Sequence, residues 1–160
     1  MTKKVLQILE NDARTTPEQI ATMTGMSEAE VNNIIEEAEK DRTIVKYRTM
    51  IDWTRAGEEE ALALIEVRLK PQMEVGFDAI AERIYRFPQV RSAYLVSGAY
   101  DLAVLVAGKT VHEVSTFVIE KLAPLDGVQG TITHFMLKRY KEDGEIFLTG
   151  EGDKRLPLTM

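Results

Sequence analysis

The spacing of hydrophobic residues changes near residue 60, and this change restricts the fold more than any other feature of the chain. Before it, hydrophobic residues such as Val5, Ile8 and Leu9 recur three and four positions apart, as in amphipathic helices. After it, Ile65 and Val67 alternate with charged residues, as in a half-buried strand. A helical segment followed by a segment that contains strands predicts an α+β protein.

The chain of 160 residues is long enough for two small domains. A polar stretch that contains Gly57 separates the two patterns and is interpreted as a linker. The predicted organisation is a first domain at 1–52, a linker at 53–60, a second domain at 61–145 and a C-terminal tail at 146–160.

The first domain is predicted to be a winged helix-turn-helix. Thr16 to Gln19 and Ser27 to Glu30 both have the pattern of a capping box, which marks the start of a helix. Gly25 ends the helix between them, so a short turn joins two helices as in a helix-turn-helix. The segment 44–52, IVKYRTMID, follows the third helix and alternates enough to be predicted as a strand.

The second domain is predicted to be a ferredoxin-like β-α-β-β-α-β unit with an antiparallel sheet. The expected elements are a strand with Ile65, Val67 and Leu69, a helix with Phe77, Ile80 and Ile84, strands at 90–97 and 102–107, a helix opened by a capping box of Thr110 and Glu113, and a last strand at 131–140. Both helices should lie on one face of the sheet. The other face would then expose Ala, Val, Tyr and Met side chains, so we expect a homodimer through this domain.

Taken together, these features resemble the Lrp/AsnC transcriptional regulators, the leucine-responsive and asparagine-operon regulators of bacteria and archaea. The resemblance covers about residues 3–145. It rests on the three-helix segment with its MTGMS turn, on the β-α-β-β-α-β order, and on SGAYDL from Ser97 to Leu102, which is similar to the G-x-Y-D-L turn of that family. It implies a regulator that binds double-stranded DNA as a dimer or an octamer. It also implies a small effector, usually an amino acid, at subunit interfaces, contacted by Gly98, Ala99, Tyr100, Asp101, Leu102, Thr131 and Thr133.

The chemistry of these residues suits an amino-acid effector. Gly98 permits a positive φ and a close approach of the ligand, and Asp101 could accept a hydrogen bond from an α-ammonium group. The alternative is a plain hairpin turn, with Asp101 capping it and Tyr100 packing at an interface. Thr131 and Thr133 lie on the same face of the last strand, and their hydroxyls can donate and accept. The alternative is that they are strand threonines that face solvent.

The net negative charge of the first domain argues against the DNA-binding prediction. Residues 1–52 contain seven basic and ten acidic residues, a net charge of −3, and phosphate neutralisation supplies much of the affinity for DNA. The resemblance implies Arg or Lys where the third helix has Asn32, Asn33, Ile34, Glu36 and Glu37. The candidate DNA-binding residues are Ser27, Asn32, Asn33, Lys40, Arg42, Lys46 and Arg48. The two asparagines could pair with adenine bases, and the four basic residues could contact the DNA backbone. The alternative is that both asparagines are merely solvated helix residues.

The sequence argues against an enzyme, a cofactor or a metal site. It has no cysteine, no phosphate loop and no nucleophile motif, and its histidines lack ligand spacing. The absence of a secretory signal and of a long apolar run predicts a cytoplasmic protein without a membrane partner. Two alternatives remain. One is a sensor or assembly protein whose helix-turn-helix no longer binds DNA, and the other is an enzyme on a ferredoxin-like domain.

Overall fold

The computed structural model describes residues 1–70 and 76–147. The chain divides into two compact units, Met1–Ile51 and Asp52–Met160. Among the described residues, no helix is both long enough and apolar enough to cross a membrane.

The first unit consists of three short helices around a small apolar core. They are α1 (Thr2–Asn11), α2 (Pro17–Thr24) and α3 (Glu28–Lys40). Both predicted capping boxes are confirmed at the starts of α2 and α3. Gly25 ends α2 with a φ of 73°, a left-handed conformation that glycine adopts without steric cost. The buried core residues are Val5, Leu9, Ile20 and Val31.

The predicted strand at 44–52 is wrong for this unit. After α3, Arg42 takes a left-handed φ of 64° and the Ile44 N–H donates to the Ala38 carbonyl at 2.8 Å. The residues that follow form no strand, and Val45 and Tyr47 are exposed. Apolar residues do alternate in this segment, but a strand also needs a neighbouring strand to take its backbone hydrogen bonds. The three helices of this unit offer none.

The second unit confirms the predicted ferredoxin-like fold. Its sheet has the order β2-β3-β1-β4, and each neighbouring pair is antiparallel. The elements are β1 (Ala61–Leu69), α4 (Phe77–Tyr85), β2 (Val90–Leu95), β3 (Leu102–Gly108), α5 (Val111–Phe117) with a π-helical turn at Val118–Leu122, β4 (Val128–Phe135), β5 (Lys141–Glu142) and β6 (Glu145–Ile146).

The two faces of the sheet differ in how well they are covered. One face packs against the helices, and its side chains are buried: Ala63, Ile65, Val67, Leu69, Leu102, Val104 and Val106. The expectation that strand valines lie on the uncovered face is wrong for β1 and β3. That face, called the open face below, carries Leu62, Leu64, Glu66, Tyr94, Leu105, Ile132 and His134.

Two predicted boundaries and one predicted capping box need correction. The last strand is Val128–Phe135 rather than 131–140. It ends there because the partner strand β1 offers no further pairing beyond Leu62, whose carbonyl accepts from the Met136 N–H at 2.8 Å. Thr110 caps α5, but the Glu113 carboxylate accepts from the Lys109 N–H, so the box is one-sided. The predicted tail begins within the hairpin of β5 and β6, and its residues 148–160 lie outside the described part.

Candidate functional site

The third helix presents two asparagines on its surface. Val31 and Ala38 are buried against the other helices, and this fixes which side of α3 faces outward. Asn33 is exposed and Asn32 is half-buried, and neither amide is hydrogen-bonded to a residue within 1–70 or 76–147. Both side chains are therefore available to an external partner.

Ser27 has a structural task that limits its use as a DNA contact. Its hydroxyl accepts from the Glu30 N–H at 3.3 Å and donates to the Glu30 carboxylate at 2.7 Å. The same carboxylate accepts from the Ser27 N–H at 2.8 Å. These hydrogen bonds, the one from the hydroxyl first, hold the pKa of Glu30 below its usual value. The serine proton is already engaged, so Ser27 serves mainly to start the helix.

Two further acidic residues of this region are also engaged. The Tyr47 hydroxyl donates to Glu39 at 2.9 Å, which ties the segment after α3 back to the helix. Burial, and then this hydrogen bond, raise the pKa of Tyr47. The Thr43 N–H donates to Asp41 at 2.8 Å and lowers the pKa of that carboxyl. Sequence reasoning missed the tie between Glu39 and Tyr47, because a spacing of eight residues across a helix end has no periodic signature.

The four basic candidates all lie on the surface at or just after the end of α3. Lys40, Arg42, Lys46 and Arg48 are exposed. Within the described residues none of them forms an ion pair, so no carboxylate of that part of the chain neutralises their charges. These four residues therefore form a local group of positive charges, within a unit of net negative charge, that can contact phosphates.

In the second unit, Asp101 joins the turn before β3 to the end of β1. Its carboxylate accepts from the Leu69 N–H at 2.7 Å, and its own N–H donates to the Val67 carbonyl at 3.0 Å. Its carbonyl accepts from the Val96 N–H at 2.9 Å and closes the turn. This geometry supports the capping interpretation of Asp101, since one carboxylate oxygen already has a donor.

The other effector candidates occupy different positions around this end of the sheet. Gly98 and Ala99 are exposed, and Tyr100 is half-buried. Leu102 is buried in the core, so its side chain is not available to a ligand. Gly98 does not adopt the positive φ that a glycine permits, and an added Cβ there would meet nothing within 4 Å.

The two threonines lie on the helix-facing side of the edge strand β4. Thr131 pairs with Val67 and Thr133 pairs with Ile65, and both are half-buried. Asp101 and Thr131 therefore flank Val67 from the two sides of β1. Thr133 lies two residues farther along the strand, away from the turn.

Two features of the second unit were not anticipated from the sequence. His134 Nε2 lies 3.0 Å from Glu66 on the open face, where β4 and β1 are neighbours. A shallow cavity of about 310 Å³ lies between the segment after residue 51 and the end of β4. Its lining includes Trp53, Glu60, Met136, Arg139 and Phe147. Neither feature leaves a motif in the sequence, because each joins segments that are distant along the chain.

Known proteins similar to this chain are transcriptional regulators. The Lrp/AsnC ligand binding domain matches residues 62–146, and a winged helix-turn-helix DNA-binding domain matches residues 1–45. The chain is 47% identical over 157 residues to the uncharacterized HTH-type transcriptional regulator YugG of Bacillus subtilis, a match that covers 98% of this chain and 95% of that protein.

Solved structures with the same fold include two regulators. One is the leucine response regulatory protein LrpA of Mycobacterium tuberculosis, with a TM-score of 0.76, 19% identity and coverage of 90% of this chain and 95% of that one. The other is a transcriptional regulator of Neisseria meningitidis in complex with L-Met, with a TM-score of 0.72, 20% identity and coverage of 88% and 90%. At these identities the two structures show a common fold alone.

Proposed function

The chain belongs to the Lrp/AsnC family of transcriptional regulators, and from this premise we propose that it binds DNA as a multimer whose activity responds to a small effector, an amino acid. The prediction of a regulator rather than an enzyme is confirmed, since the relatives are named regulators and the family is not enzymatic. The observation that carries the proposal is the pairing of a helix-turn-helix at residues 1–45 with a ligand-binding domain at 62–146. Because its proposed partner is DNA, we propose that the protein acts in the cytoplasm.

DNA binding would depend on a local run of positive charge. The basic run, Lys40, Arg42, Lys46 and Arg48, is exposed and forms no ion pair among the described residues. Removing one cation that touches a phosphate should reduce the slope of log K against log salt by roughly 0.9. Several half-sites in one multimer would compensate for weak binding at each, because a second module binds at a high effective concentration.

A salt titration tests this proposal. The intact chain should bind its own upstream DNA with a slope of several units, and the double variant Lys46→Gln, Arg48→Gln should lower that slope. The double variant Lys3→Gln, Lys4→Gln on α1 makes the same change in net charge at another place and should lower it less. A slope near zero for the unaltered chain would favour the second candidate, a sensor whose helix-turn-helix no longer binds DNA, for which the acidic α3 is the supporting observation.

Assembly is proposed to use the open face. Tyr94, Ile132 and Met136 are large apolar side chains on or beside this face, and they are 62%, 48% and 48% exposed. Large apolar side chains exposed on one face of a sheet normally bind a partner, and a second copy offers the same surface. Ile132→Glu should reduce the mass measured by light scattering. Ile119→Glu, which alters an isoleucine that is 69% exposed in the π-helical turn after α5, should leave it unchanged. An equal mass for both variants would contradict the proposal.

The effector is proposed to bind beside the end of β1, where Asp101 and Thr131 flank Val67. The regulator of Neisseria meningitidis that shares the fold was solved with L-Met, which supports testing amino acids first. A ligand at 100 times its Kd should stabilise the folded protein by about 2.7 kcal/mol.

A thermal-shift screen of the twenty amino acids would detect that stabilisation. Thr131→Val should remove the shift, because it deletes a hydroxyl with little change of shape. Thr116→Val on α5 makes the same change on another element and should keep the shift. If no amino acid changes the melting temperature, the amino-acid proposal fails while DNA binding is unaffected.

A further inference from the structure

The five glutamates of α3 do not have equivalent surroundings. Glu30 is engaged in the cap with Ser27, and Glu39 accepts from Tyr47. Glu28 lies in the first turn, where a negative charge complements the helix dipole. The remaining two, Glu36 and Glu37, are exposed, and within the described residues the carboxylate of neither takes part in a hydrogen bond or an ion pair. Folding therefore supplies no reason for a carboxylate at either position.

The positions of these two glutamates around the helix differ. Successive residues of an α-helix are about 100° apart, so residues at i, i+3, i+4 and i+7 form one stripe. Ala29, Asn32, Asn33 and Glu36 have this spacing, and we call them the reading stripe. The stripe lies on the side of α3 away from the buried Val31. Glu37 lies about 100° around the helix from Glu36 and about 40° beyond Asn33, so it adjoins the edge of the stripe, whereas Glu36 lies near its middle.

A stripe with this spacing is how a recognition helix meets successive base edges in the major groove. The groups on it are complementary to defined bases. A methyl group such as that of Ala29 suits the thymine methyl, an asparagine amide pairs with adenine N6 and N7, and a carboxylate accepts from the N4 amine of cytosine. Guanine and thymine present acceptors in the groove, which would repel a carboxylate. A glutamate on the stripe thus discriminates among bases, although it opposes binding to phosphates.

We propose that Glu36 is a specificity-determining residue that accepts a hydrogen bond from N4 of a cytosine, next to adenines read by the asparagines of the stripe. This inference rests on the proposed DNA-binding function and concerns which sequence is chosen. Glu37 is the natural control, because it is the same residue type, is also exposed and is outside the stripe.

The experiment selects binding sites from a randomised duplex library with the intact chain, with Glu36→Gln and with Glu37→Gln. Both variants remove one negative charge with little change of shape, and neither carboxylate has a partner among the described residues. Fluorescence anisotropy then measures the binding constants for the selected site and for the same site with cytosine replaced by adenine. Glutamine pairs with adenine N6 and N7, so Glu36→Gln should shift the preference at one position of each half-site from cytosine to adenine.

The expected change in the ratio of the two binding constants is about fivefold or more, which is the effect of one mismatched base pair. Glu37→Gln should raise the affinity for all duplexes alike and keep the selected sequence. An unchanged sequence preference in Glu36→Gln, or the same shift in both variants, would overturn the inference while leaving DNA binding established. If the unaltered chain enriches no sequence and binds no duplex, the proposed function itself fails.

Discussion

The hydrogen bond between Asp101 and the Leu69 N–H gives the sharpest stability prediction. Leu69 is 4% exposed, and its N–H donates to the Asp101 carboxylate at 2.7 Å. Asp101→Ala would leave that buried donor without its acceptor, at a cost of roughly 1–3 kcal/mol. Asp101→Asn keeps an acceptor oxygen and loses only the assistance of the charge, so it should cost less, roughly 1 kcal/mol. The order of the two variants is the essential expectation.

Two measurements check this order. Urea unfolding followed by the fluorescence of Trp53, the single tryptophan, reports on the second unit and should give midpoints in the order unaltered, Asp101→Asn, Asp101→Ala. Hydrogen exchange should show the largest loss of protection at the Leu69 amide, while amides in the middle of β3 change only with the global stability. If Asp101→Ala leaves both the midpoint and the Leu69 exchange rate unchanged, this hydrogen bond does not hold the end of β1.

Three further predictions concern the first unit. Ser27→Ala should lower its stability by about 1 kcal/mol in thermal unfolding followed by circular dichroism, because α3 loses its cap; an unchanged transition would refute the capping role. Arg42→Gly should raise stability by about 1 kcal/mol, because a left-handed φ is strained for every residue except glycine, and Arg42→Ala should bring no such gain. Equal urea midpoints for the two variants would contradict this. The lowered pKa of Glu30 means that its charged form stabilises the folded protein. This stabilisation is present at pH values above 4.5, the usual pKa of the group, and is lost as the pH falls through the lowered pKa. Glu30→Gln should flatten this acid dependence, and an unchanged profile would refute the assignment.

Local signals predicted the helices of the first unit well, and the strand after them poorly. A capping box involves residues three apart, so Thr16 and Gln19 could be paired from the sequence alone. A strand at 44–52 depends on a neighbouring strand, which no local pattern can supply. The last strand shows the same limit, since its end is set by β1, more than 60 residues earlier, where Ala63 pairs with Phe135.

The candidate effector residues show how one motif can serve two purposes. The SGAYDL segment was correctly located at a turn, yet its last two residues hold the fold: Leu102 packs in the core, and Asp101 holds the end of β1. The partner of Asp101, Leu69, is 32 residues away, so its task could not be predicted from spacing. The exposed part of the motif, Ser97, Gly98 and Ala99, is left as the surface that a ligand could approach.

The acidic third helix is best understood by separating affinity from specificity. Affinity depends on cations near phosphates, and the basic run from Lys40 to Arg48 can supply these at one end of the helix. Specificity depends on donors and acceptors at base edges, where a carboxylate is one of the useful groups. A hydrogen bond from a neutral group does not cancel the charge of a carboxylate, so the contacts of Glu30 with Ser27 and of Glu39 with Tyr47 do not lessen the need for the basic run. Changes in the basic run should therefore weaken binding to all sequences, whereas a change at Glu36 should alter which sequence is bound.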